Sequence, residues 1–271
     1  MRSHSIWNLG ERAALYLLLV LNLMTIRTVY PAGADWGVNP YQIATLTEPG
    51  EAAARQIGFA SPDGRGRALI LDTFSGGLGS WVTNTSGSGA TPVLKTNFPT
   101  FIAPVALYLD PGSVLNDFSS IVRYLFLGQT SRVGFEVTMF SSDPRGGHLR
   151  LQQIYNYNGV VYQAYLEYFP LTGEWKVLTP TGVQTVITQP ASDDWIWTPV
   201  KMVVDFSKAQ YARIIIGESS FDASAFSIQT IVSGILEDTS AFTISDISSG
   251  EAGAPTYSMR IGYVLLTRDE P

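Results

Sequence analysis

The sequence predicts an all-β body of two packed antiparallel sheets, preceded by an apolar helical leader. Three observations carry that prediction. Val200, Met202, Val204 and Phe206 alternate with Lys201, Val203 and Asp205; after the polar break Ser207-Lys208, the residues Ala212, Ile214 and Ile216 alternate with Tyr211, Arg213 and Ile215. Period-two alternation on both sides of a short polar break reads as a hairpin with one buried face. Tyr157-Asn158-Gly159-Val160 joins two further alternating runs, and Asn-Gly is the strongest short-range hairpin signal. Finally, short β-like runs recur from Ala68 to the end, separated by Gly, Pro, Asn and Asp.

Taken in order, residues 1–34 differ in composition from everything after them. Glu11–Arg27 is Leu-rich, lacks Gly and Pro, and reads as a helix. Its apolar run Ala13–Ile26 is 14 residues long and includes Asn22, short of the ~20 residues a membrane span needs. Two readings stay open. In one, the leader is an export signal, with Arg2 at its start and the small triplet Ala32-Gly33-Ala34 before Asp35 as the cleavage site. In the other, the leader is retained. A helix apolar on nearly all sides must be buried, and Leu15, Leu18, Leu19, Leu23 and Ile26 are then the residues expected to dock against another subunit.

Residues 31–67 read as an extended connector rich in Pro and Gly. It holds one short helical candidate, Pro49–Ile57, with Thr47 as cap and Gly58 as stop. Ser61–Arg67 (SPDGRGR) is a turn or hinge. The expected division is therefore 1–67, a helix and anchoring arm, and 68–271, a β-sandwich. Within the sandwich, strands are expected at Ala68–Thr73, Val105–Leu109, Ile121–Leu127, Val133–Phe140, His148–Tyr157, Val160–Phe169, Trp175–Leu178, Val183–Thr188, Val200–Phe206, Tyr211–Gly217, Ser227–Val232 and Tyr257–Thr267.

Composition excludes several functions. A formal charge of −6 and a pI of about 4.9 argue against nucleic-acid binding. The absence of cysteine removes disulfides, thiolate metal sites and a cysteine nucleophile. The two histidines, His4 and His148, support neither a zinc site nor a Ser-His-Asp triad, and His148 is expected to face solvent.

The order LDTFSGGLGSWV (71–82), an Arg-bearing strand at 121–126, GFEVTMF (134–140), the pair LRLQQIYNYNGVVYQAYLEY, then WTPVKMVVDFSKAQYARIII and a closing TYSMRIGYVLLT resembles the concanavalin A-like superfamily. The resemblance runs over roughly residues 68–270 and implies a jelly-roll sandwich of the laminin-G-like, carbohydrate-binding kind. Glycosidases on this fold cluster acidic residues on one strand, whereas here Glu136 stands alone, with Thr138 where a second carboxylate is expected. Glu167 lies on another strand. Glu136 is therefore expected to be structural, paired with Arg123 or Arg132. The resemblance also makes calcium a cofactor candidate, with oxygen donors at Asp110, Asn116, Asp117, Asp143, Asp193 and Asp194, although these form no spaced loop motif.

One cluster suggests a ligand. Tyr155, Tyr157, Tyr162, Tyr165, Tyr168, Phe169 and Trp175 lie on adjoining strands beside Gln152, Gln153, Asn156 and Gln163. Glycan sites combine aromatic faces with amides in this way. The expected surface comprises Tyr155, Tyr157, Tyr162, Tyr165, Trp175, Gln152 and Asn156. Alternation puts Tyr162 and Tyr168 opposite Tyr165 and Phe169, so at least one set belongs to the core, and core packing of the whole cluster stays open.

The function expected is a non-enzymatic structural protein that displays a lectin-like sandwich on a larger assembly through residues 1–67. The concrete case is a capsid decoration protein at a bacteriophage virion surface. The alternative is a secreted carbohydrate-binding module with residues 1–34 removed, and a glycoside hydrolase ranks third. Expected partners are other subunits and a glycan, without nucleic acid or a membrane span.

Overall fold

The computed structural model describes residues 66–87, 90–95, 105–112, 114–128, 131–141, 147–189, 197–232, 239–249 and 259–271. The leader with Leu15, Leu18, Leu19, Leu23 and Ile26, and the helix expected at Pro49–Ile57, lie outside those residues.

Sixteen strands among the described residues form two sheets. Sheet I runs β13 (Ser219–Asp222), β12 (Gln210–Ile216), β11 (Thr198–Asp205), β6 (Arg132–Ser141), β16 (Met259–Arg268), β4 (Ala106–Asp110), β3 (Thr91–Lys95), with β1 (Arg67–Asp72) also on β16. Sheet II runs β10 (Gly182–Thr188), β9 (Glu174–Thr179), β8 (Val160–Phe169), β7 (Gly147–Tyr157), β15 (Thr239–Ser248), β5 (Phe118–Leu125), β2 (Val82–Ser86), with β14 (Gln229–Val232) also on β8. Every ladder is antiparallel. The body is an all-β, two-sheet antiparallel sandwich of jelly-roll type.

The core lies between the sheets. Phe135, Val137 and Met139 of β6 and Val200, Met202 and Val204 of β11 join Leu149 and Leu151 of β7, Leu166 of β8, and Phe242 and Ile244 of β15 in one buried cluster. Phe135 meets Phe242 edge-on across the interface, with ring centroids 5.6 Å apart. Each such side chain contributes about 1.5–3 kcal/mol on burial. Between β7 and β8, Asn158 (φ 52°) and Gly159 (φ 74°) both adopt left-handed backbone, the turn an Asn-Gly pair favours.

The β11–β12 hairpin forms, with one correction. Val203 opposes Arg213 and Val204 opposes Tyr211, leaving Ala212 as an extra residue. This bulge flips the alternation, so Tyr211, rather than Ala212, is fully buried beside Ile214 and Ile216. Its hydroxyl crosses to sheet II. There it donates to the Leu178 carbonyl at 2.9 Å, with the Tyr165 carbonyl at 3.1 Å, and accepts from the Tyr165 N–H at 3.1 Å. The contact falls where β8 changes neighbours, from β14 over Val160–Gln163 to β9 over Leu166–Phe169. A side-chain hydroxyl thus satisfies backbone groups that a continuous ladder would otherwise pair.

Four strands escape the sequence pattern. In β15 the inward positions include Ser240, Asp246 and Ser248, so only Phe242 and Ile244 signal a buried face. β2, β3 and β13 are edge strands with little to bury. Pro92 in β3 is compatible with such an edge, where a missing N–H leaves no ladder partner unpaired.

Candidate functional site

Side chains alternate along a strand, so the ladder registers decide which of the expected glycan residues share a face. Leu149, Leu151, Gln153, Tyr155 and Tyr157 of β7 pair with Tyr168, Leu166, Ala164, Tyr162 and Val160 of β8. This set points inward. Tyr155 is 3% exposed and Trp175 is 1% exposed. Tyr155 donates to the Gly128 carbonyl at 2.7 Å and packs on Phe206 at 4.9 Å. Trp175 stacks on Tyr168 at 4.3 Å and donates from Nε1 to the Gln189 carbonyl at 2.9 Å. Tyr157 and Tyr162 are half-buried against the same core. The expected surface is corrected accordingly: Tyr155, Tyr157, Tyr162 and Trp175 belong to the inner side, because uninterrupted registers carry them all to the parity of Leu149 and Leu151.

Gln152, Asn156 and Tyr165 have the outward parity, but only Gln152 is half-buried; Asn156 (4% exposed) and Tyr165 (7% exposed) are buried, which corrects their expected place on an open surface. The registers order the outer face into rows: Thr243, Gln152 and Tyr165; then Ala241, Ile154, Gln163 and Gln229; then Thr239, Asn156, Val161 and Ile231. Gln229, Ile231 and Thr239 were not part of the expected site. β15 carries a weak hydrophobic signal, and the pairing of β14 with β8 has no local signature.

On the other side of Tyr165 the rows become charged. Arg150 donates from Nε to Glu167 Oε1 at 2.7 Å, and its guanidinium lies 4.7 Å over the Tyr165 ring. His148 Nε2 lies 3.4 Å from the same carboxylate and its ring stacks on Phe169 at 4.7 Å. Contrary to its expected solvent exposure, the His148 side chain is only 16% exposed. Lys176 pairs with Glu174 at 3.0 Å. Burial alone would raise the Glu167 carboxyl, but the His148 hydrogen bond and the Arg150 charge hold it below the ordinary value. Burial, with the Glu167 charge, raises the Tyr165 phenol. The charges on this side thus compensate one another.

Sheet I presents a different outer face. Glu136 stands on β6 opposite Lys201 on β11 and Leu265 on β16. It is fully buried, accepts from the Tyr263 hydroxyl at 2.6 Å, and lies 3.8 Å from Lys201 Nζ. Burial, then the Glu136 charge, pushes the Tyr263 phenol well up. The expected pairing of Glu136 with Arg123 or Arg132 is corrected. Arg132 pairs with Asp205 at 2.8 Å, and Arg123, on sheet II, donates to the Ser80 carbonyl at 2.9 Å. At the end of β16, Asp269 takes a left-handed backbone (φ 54°). Glu270 then contacts Lys201 at 2.8 Å, with Arg213 and Thr267 as further partners. A side chain at Gly134 would run into Thr267, Glu270 and Lys201, so the absence of a Cβ at Gly134 gives the network room. Two carboxylates and two cations balance within this network.

One buried acid lies apart. Asp246 points inward on β15 opposite Ser119, and accepts from the Met259 N–H at 3.1 Å. Burial, then the nearby Asp110, holds its carboxyl well above the ordinary value against that hydrogen bond. For calcium, the described residues contain no group of three or more acidic or imidazole side chains placed to hold a metal ion. Asp143, Asp193 and Asp194 lie outside the described residues. Among the described residues no helix is long and apolar enough to cross a membrane.

No protein-family model matches the sequence, and no curated protein matches it. Solved structures do superpose on the body. An endo-beta-1,3-glucanase from Pyrococcus furiosus aligns at 9% identity and a TM-score of 0.49, over 77% of this chain and 97% of its own. Peanut lectin aligns at 12% identity and 0.47, over 73% and 96%. The Emp47p carbohydrate recognition domain aligns at 10% identity and 0.43, over 73% and 93%. Likeness at this level carries nothing about activity, and the sandwich assignment rests on the strand order and registers given above.

Proposed function

We propose that the sandwich is a non-catalytic glycan-binding domain whose site is the outer face of sheet II. The observation that carries this reading is the row order of that face. Amides and hydroxyls of Gln152, Gln163, Gln229, Thr239 and Thr243 surround an apolar strip of Ile154, Val161 and Ile231, with Tyr165 alongside. A sugar ring offers hydroxyls at its edge and C–H groups on its face, and such a strip matches both. The acidic residues do not favour hydrolysis. A retaining glycosidase needs two carboxyls about 5–5.5 Å apart that act as acid and nucleophile, whereas Glu136, Glu167 and Glu270 are each buried and held by cations. The test is a glycan array probed with the full chain. A consistent group of retained oligosaccharides is expected, and uniform silence would end this reading.

The leader motivates a second reading. The Leu-rich composition of residues 11–27 and the Pro-rich stretch 31–67 favour an anchoring arm, residues 1–67, that displays the sandwich on a larger assembly such as a virion surface. The intact mass of native material tests it: a chain retaining the leader is expected, whereas one beginning at Asp35 points to the export alternative. Deleting residues 1–34 is expected to leave a folded sandwich that no longer joins the assembly.

A further inference from the structure

Three glutamines stand at outward positions on neighbouring strands: Gln152 on β7, Gln163 on β8 and Gln229 on β14. Each is half-buried and, unlike those of Asn156, their amide atoms keep accessible surface. Among the described residues no hydrogen bond holds any of the three amides. Other glutamines are held: Gln184 donates to Thr181 Oγ1 at 2.9 Å, and the inward Gln153 donates to the Met202 carbonyl at 3.4 Å. The registers set the spacing of the free amides. Gln152 lies opposite Thr243 on β15, and Gln163 lies between Ile154 on β7 and Gln229 on β14. The polar groups thus step across four adjoining strands with Ile154 between them. Three strand spacings separate Thr243 from Gln229, ~14 Å, which is longer than one sugar ring.

We infer that this face takes an internal stretch of a linear, neutral glycan lying across the strands, with Gln152, Gln163 and Gln229 as its successive contacts. This rests on the glycan-binding reading above and narrows it. An amide offers a donor and an acceptor side by side, which neighbouring hydroxyls match, each being able to donate or accept. Ile154 lies between the amides for the C–H face of a ring. Neutrality follows from charge. The rows of the three glutamines hold no ionic group, and Arg150 and Glu167 in the next row neutralise each other. A charged sugar would lose hydration here without gaining a counter-charge. The open ends of the rows favour a passing chain over a chain terminus. Among the described strands β14 pairs with β8 alone, so the track runs out at its edge beyond Gln229. On the other side the row of Gln152 and Thr243 continues through Val122 to Val82 on the edge strand β2, 40% exposed.

Chain length is the test. The full chain is applied to an array of linear gluco-, manno-, xylo- and galacto-oligosaccharides of increasing length, each with free and with chemically blocked ends, beside acidic oligosaccharides. Retention is expected to climb from the monosaccharide through the longer members of a neutral series and to be unaffected by blocking the ends. Gln229→Ala shortens the track at one end. It is expected to weaken the longest members by roughly three- to tenfold, to spare the shortest, and to leave the melting temperature unchanged. Monosaccharides retained as well as longer chains, loss of retention on end-blocking, or retention of acidic oligosaccharides alone would each overturn the inference. So would a loss in Gln229→Ala that is equal at every length. Those results leave the glycan-binding reading standing, whereas a wild-type chain silent on every spot removes that reading and this inference together.

Discussion

The two outer sheet faces handle polar groups in opposite ways. On sheet I, Glu136 meets Tyr263 and Lys201, and Glu270 folds back onto Lys201, Arg213 and Thr267. That face is internally balanced and buried. On sheet II the ionic residues are likewise paired, but the neighbouring rows keep half-buried glutamines over an apolar strip and one buried amide with no partner. The difference teaches that polarity alone does not mark a site. What separates the two faces is that sheet I closes its charges into one buried network, whereas sheet II leaves its glutamines half-buried.

The largest effect is expected where that internal balance is broken. Lys201→Ala leaves Glu136 and Glu270 buried without a shared cation, and removing one member of a buried ion pair costs about 3–5 kcal/mol. Denaturant unfolding reads this directly, and a loss below ~1 kcal/mol would show that the network behaves as an exposed one. A smaller loss is expected for Tyr211→Phe, which leaves the backbone groups at Tyr165 and Leu178 unpaired at a cost of about 1–3 kcal/mol. Faster amide exchange at Tyr165 than in the rest of β8 would localise it.

Asp246 gives a pH-dependent test between the sheets. Its folded carboxyl titrates well above its unfolded value, which lies near 4. Below the unfolded value both states are protonated. As pH rises above it, the unfolded chain ionises first, so stability falls until pH passes the raised folded value. Asp246→Asn is expected to remove that fall, making the variant more stable than wild type at neutral pH but not at pH 3. Parallel stability curves for the two proteins would contradict the raised carboxyl at Asp246. The smallest stability change is expected for Gln163→Ala combined with Gln229→Ala, within about 0.5 kcal/mol as for ordinary surface positions. The same pair should sharply reduce saccharide retention, and unchanged retention would blur the distinction between the faces.

Much of this architecture is legible in the sequence, for physical reasons. Strands whose buried positions are consistently apolar, such as β6, β7, β8 and β11, announce themselves by alternation, and Asn158-Gly159 fixes the β7–β8 turn. β15 does not, because Ser240, Asp246 and Ser248 occupy inward positions in the centre of sheet II. Parity within β8 correctly separated Tyr162 and Tyr168 from Tyr165, but composition alone drew Trp175 and Tyr155 onto the surface, where the registers do not place them. The Ala212 bulge likewise erases the strict alternation that the residue pattern predicts. Asn156 has the outward parity expected of it, but its burial is a property of three strands brought together, which the sequence could not supply.

The most direct test is amide hydrogen exchange on the full chain, with and without an oligosaccharide retained on the array. Ligand-induced protection concentrated in β7, β8 and β14, with β6 and β11 unchanged, is the predicted result. Protection in β6 and β11 instead would place the binding face on sheet I and contradict the account.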